Sequence, residues 1–81
     1  MWRMDKYLAE AGYALEQRRL HLVDDTAGRL AAEAESYGFR VLGRMARCVE
    51  SAGRAKDLQA VTDLLPELAT AVERHRISLG S

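Results

Sequence analysis

From Leu58 to Leu79 the apolar residues recur every three or four positions: Leu58, Val61, Leu65, Leu68, Val72 and Leu79, with His75 in phase among them. That period gathers them on one side of an α-helix but scatters them over both faces of a strand, so the segment can bury a face only as a helix. Asp57, just ahead of the stripe, suits the N-cap position. Pro66 lies inside it and has no N–H for the carbonyl of Thr62. Because the stripe keeps its phase through Pro66, a kinked helix is expected in preference to two short helices meeting there.

The rest of the chain reads the same way. Leu42, Met45, Val49 and Ala52 form a second stripe that starts after Gly38 and fades around Gly53 and Arg54. Gly38 suits the left-handed residue that ends one helix before the next turns back. Upstream, Leu8, Ala11, Leu15, Arg18 or Arg19, Leu22, Thr26, Leu30, Ala34 and Tyr37 hold helical phase, and the run can break at Gly12-Tyr13 or at Asp24-Asp25-Thr26. We place a short N-terminal helix from about Arg3 and a longer one from about Gln17 to Tyr37. A third helix is expected over Phe39–Arg54 and a last one over Leu58–Ile77. Proline occurs once, asparagine not at all, and no stretch alternates with period two; both points argue against strands. The expected fold is all-α, a small antiparallel helix bundle formed as one domain over residues 1–81.

Twelve basic and twelve acidic residues cancel, so no cationic excess points to nucleic acid. The apolar runs fall far short of the roughly 20 residues that span a bilayer. Met1-Trp2-Arg3-Met4-Asp5 does not have the pattern of a signal peptide. The single cysteine, Cys48, has no internal partner and suits a reducing compartment, so a cytoplasmic location is expected. Two histidines and one cysteine far apart in sequence give no metal-ligand spacing, and no cofactor is expected.

The run Ala27-Gly28-Arg29-Leu30-Ala31-Ala32-Glu33-Ala34-Glu35-Ser36-Tyr37-Gly38 resembles the active helix of histidine phosphotransfer (HPt) domains, which reads Ala-His-x-Leu-Lys-Gly-Ser-Ala-x-x-Phe/Leu-Gly. Ala27, Leu30, Ala34, Tyr37 and Gly38 keep the small and apolar positions. Val41 to Asp57 looks like the family's next helix and Leu64 to Leu79 like its last, so the resemblance spans about residues 18–79. It implies an HPt-like bundle without the family's chemistry. Gly28 stands at the phosphoacceptor position and has no nucleophilic side chain. Ala31 replaces the lysine that offers a cation to phosphate, and the carboxylate of Glu33 would repel a phosphoryl group. The resemblance therefore implies no enzyme but a catalytically silent module. Its partner would be a response-regulator receiver domain or a histidine kinase, docked on a face of Gly28, Ala31, Ala32 and Glu35 edged by Arg44 and Arg47.

Two other functions stay open at this point: a generic helical oligomerisation or adaptor domain, and an active phosphotransfer protein using His21, two turns before Gly28 on nearly the same face. His75 continues an apolar stripe, so partial burial is expected. Cys48 lies between Met45 and Val49, which suggests core or boundary packing. Arg40, Arg44, Arg47 and Arg54 make a basic edge on the third helix. Trp2, Tyr7 and Tyr13 crowd the N-terminal segment, where packing of this helix against the bundle is their first expected role and an oligomer contact the alternative; in so short a chain a homodimer using one of them is expected.

Overall fold

The computed structural model describes residues 3–80, with side chains described for residues 3–75. Four helices follow one another: α1 (Arg3–Glu16), α2 (Leu20–Ser36), α3 (Arg40–Arg54) and α4 (Leu58–Gly80). No strand occurs among the described residues. Each helix packs against the next in the chain and α1 meets α4, with α2 and α3 the most intimate pair. Short turns between neighbouring helices make this an antiparallel up-down-up-down bundle.

The three turns are built alike. Gln17-Arg18-Arg19, Tyr37-Gly38-Phe39 and Ala55-Lys56-Asp57 each place their middle residue at positive φ, 59° at Arg18, 79° at Gly38 and 58° at Lys56. In each, the N–H of the third residue donates to the carbonyl of an alanine five residues back: Arg19 to Ala14, Phe39 to Ala34 and Asp57 to Ala52, all at 2.9 Å. The middle N–H donates three residues back, to Leu15, Glu35 and Gly53. This closes the carbonyls that a helix end leaves open. Asp57 also caps the next helix, its Oδ1 accepting from the N–H of Ala60 at 3.1 Å.

The break between the first two helices thus falls at Arg18, and both sequence candidates lie inside helices: Gly12-Tyr13 in α1 and Asp24-Asp25-Thr26 in α2. The chain reverses there because the turn's hydrogen bonds hold Arg18 in a left-handed conformation without glycine. Pro66 lies within one helix, α4, and not between two short ones.

One core joins all four helices, with Met4, Val23, Leu30, Leu42, Val49, Val61, Leu68 and Val72 fully buried. Of the expected core, Leu65 is buried as well, while Met45 and Leu58 are only half-buried. Three positions of the sequence reading are corrected. Leu22 keeps helical phase yet is exposed, because the bundle covers less of α2 than its stripe spans, and Tyr37 is exposed because it stands in the turn after α2, stacked on Phe39. Cys48 is exposed, since it points off the α3 face that carries Leu42 and Val49.

Small residues explain the closeness of α2 and α3. A Cβ built on Gly53 would stand 3.0 Å from the backbone N of Asp24 and 3.2 Å from the carbonyl O of Leu20. A Cβ on Gly43 would stand 3.1 Å from Cγ of Glu35. Buried Ala27, Ala31 and Ala46 complete the seam. Backbones can approach this closely only where side chains stop at Cβ or before it.

Candidate functional site

Gly28 lies half-buried on the α3 side of α2, and the carboxylate of Glu50 fills the space above it. An ideal Cβ at Gly28 would be 2.5 Å from Glu50 Oε2. The absence of a side chain therefore has a local partner: it makes room for a carboxylate from the neighbouring helix. That carboxylate is held from two sides. Arg47 Nη1 donates to Glu50 Oε1 at 3.1 Å, and Arg54 Nη2 approaches Glu50 Oε2 at 3.4 Å.

The pairing extends outward along both helices. Arg47 Nη2 donates to Glu35 Oε1 at 2.9 Å, with Nε reaching Oε2 at 3.3 Å, a two-pronged contact between α3 and α2. Arg54 also contacts Asp24 at 3.4 Å. Hydrogen bonding to the Arg47 guanidinium, aided by its charge, holds the Glu35 carboxyl below the usual carboxylate range, and hydrogen bonds to Glu35 and Glu50 push Arg47 upward. Glu35 and Arg47 are about half exposed, so water screens the pair and its contribution to stability is small. Its geometric effect is larger, because a fork-to-carboxylate contact fixes the orientation of both side chains.

Between these residues runs a shallow groove of about 390 Å³ whose lining includes Gly28, Arg29, Ala32, Arg47, Glu50 and Arg54. Of the residues expected on a docking face, Gly28, Ala32 and Arg47 line it, and Glu35 borders it through Arg47. Ala31 is corrected out of the face: it is fully buried, and its carbonyl oxygen faces Gly43 across the α2–α3 seam. Arg44 is exposed but lies outside the groove, on the outer side of α3. His21 is exposed near the start of α2 and does not line the groove. Glu50 was missed in the sequence, although its place three residues after Arg47 and four before Arg54 is the spacing of helical ion pairs.

No pair of groups here makes a nucleophile and its base. Every carboxylate named is engaged by an arginine, and among the described residues no cluster of histidine, cysteine or carboxylate side chains is arranged to hold a metal ion. The groove offers instead small side chains at its floor and oriented charges at its rim. His75 lies at one end of the bundle, half-buried as expected, its Nδ1 2.8 Å from the carbonyl of Ala71 and its ring 4.7 Å from that of Phe39. Of the aromatic residues expected at a dimer contact, Trp2 lies outside the described residues, Tyr7 is half-buried against the core, and Tyr13 is exposed. No helix among the described residues is long and apolar enough to cross a membrane. Comparison with protein-family models, with curated proteins and with solved structures gave no significant match.

Proposed function

We propose that this chain is a catalytically silent, HPt-like signalling module. It binds a response-regulator receiver domain or a histidine kinase across the outer face of α2 and α3 and carries no phosphate. The observation that carries this reading is the pairing of Gly28 with Glu50. Where the family resemblance calls for an imidazole, a carboxylate from α3, itself held by two arginines, occupies the space, so the position has neither a nucleophile nor room for one. What remains is a low-relief surface on which rim charges set a partner's orientation and on-rate while small side chains permit close approach. A cytoplasmic location accords with that role.

The test is a titration against receiver domains. Ala32→Arg places bulk and charge on the exposed floor of the groove and should weaken binding at least tenfold, about 1.4 kcal/mol. The fold should stay within about 0.5 kcal/mol, as for other surface changes. Unchanged affinity with folding intact would remove this face. Incubation with kinase, receiver and ATP should leave no acid-labile phosphate on the chain. Phosphate that disappears in His21→Gln would favour an active carrier instead. A helical oligomerisation or adaptor domain is the second reading, and the exposure of Tyr13 and Leu22 favours it.

A further inference from the structure

We infer that the outer face of α1 and α2 is a contact between two copies of this chain, related by a two-fold axis and closed by Tyr13. A groove of about 490 Å³ runs between these helices, lined among others by Ala9, Glu10, Tyr13, Leu22, Thr26 and Arg29. Leu22 belongs by phase to the apolar stripe of α2, and Tyr13 is a large aromatic, yet they are 37% and 65% exposed. The single chain leaves both uncovered.

A second copy fits this face better than an unrelated partner because the face carries both halves of its own complement. A two-fold contact brings one surface against itself, so it needs a projection and a recess side by side. Tyr13 is the projection, and the groove floor at the buried Ala14 and Thr26 is the recess. The charges match in the same sense. Glu10 on α1 has no ion pair among the described residues, and Arg29 on α2 is held only by Asp25 at 3.4 Å, with both side chains at least 60% exposed. Laying α1 of one copy along α2 of the other pairs Glu10 with the partner's Arg29, twice over.

Size limits the strength. A stable interface buries roughly 800 Å² on each partner, about a sixth of this chain's 5151 Å² and close to one whole long face of a molecule measuring 36 × 20 × 18 Å. The contact therefore extends along the helices beyond the groove.

Light scattering over a dilution series tests this, with far-ultraviolet circular dichroism to verify folding. The wild type should be dimeric at high micromolar concentration and dissociate on dilution. Tyr13→Arg should be monomeric throughout. Glu10→Arg and Arg29→Glu should each be monomeric alone, because each sets like charges against one another at both ends of the axis. Mixed in equal amounts they should form a heterodimer, because every pair is then opposite in sign. A wild type that stays monomeric, a Tyr13→Arg chain that still dimerises, or two folded charge variants that ignore one another would each overturn the proposal.

Discussion

Replacing Gly53 by alanine sets two opposing effects against each other, and the structure decides between them. Alanine is favoured over glycine inside a helix by about 0.8–1.0 kcal/mol, and by less this close to the end of α3. The added methyl group would sit 3.0 Å from the backbone N of Asp24, 3.2 Å from the carbonyl O of Leu20 and 3.3 Å from Cα of Asp24. All three are main-chain atoms of α2, so no side chain can swing aside and the two helices must separate. Overpacking of this kind costs roughly 1–3 kcal/mol. The net expectation is a loss of about 0.5–2 kcal/mol, or several degrees in Tm for a domain of this size. Gly28→Ala is the internal control. Its methyl group meets only the far end of the Glu50 side chain, which can rotate away at the expense of ion pairs worth about 0–1 kcal/mol. Helix propensity then dominates, and this variant should match or slightly exceed the wild type. Urea unfolding followed by circular dichroism at one fixed protein concentration measures both. If Gly53→Ala proved as stable as the wild type while Gly28→Ala fell below it, the assignment of the close-packed seam would be wrong.

Asp57→Ala removes the cap on Ala60 and should cost about 1 kcal/mol in the same assay. Lys56→Gly should stabilise the chain by up to about 1 kcal/mol, since a left-handed conformation strains any residue with a Cβ; a clear loss would show that the cation's place at the end of α3 outweighs that strain. Leu42→Ala empties a fully buried site at the α3 core face and should cost roughly 2–5 kcal/mol, which chemical denaturation would register as a lower midpoint at unchanged slope. Arg47 holds the Glu35 carboxyl low, so the pair's stabilisation is complete above the ordinary glutamate pKa and drains away as pH falls below about 4. A Glu35→Gln chain should therefore lose less stability on acidification than the wild type, and parallel acid titrations of the two would contradict the pairing.

The all-α fold and the phase of α3 and α4 were legible because their stripes are long and strict. The Gly38 turn was legible because glycine declares a left-handed residue. The other two turns were not, since Arg18 and Lys56 are helix formers by composition and are held at positive φ by the hydrogen bonds that the next residues, Arg19 and Asp57, make back to Ala14 and Ala52. Their shared pattern, an alanine four residues before the left-handed position, emerges only when the three turns are laid side by side. Within the site, Gly28, Ala32, Glu35 and Arg47 were named from the sequence. Ala31 was misplaced because one-turn spacing along a helix does not say which side a close neighbour covers. Glu50 was missed for the complementary reason: its importance comes from the glycine opposite, on another helix.

The uneven pairing of the helices implies an order of events in time. Neighbours along the chain make most of the contacts, across turns of three residues, and only the meeting of α1 with α4 joins opposite ends of the sequence. Closing such short loops costs little entropy, so the chain belongs among fast-folding domains. The α2–α3 hairpin, tightest by virtue of its glycines, is the natural unit to form first and open last. Local opening is then expected first at the α1–α4 side, where an apolar groove lined by Leu8, Leu15, Leu65 and Pro66 runs along the surface. The outer helices can loosen there while the hairpin that carries Gly28 and Glu50 keeps its shape.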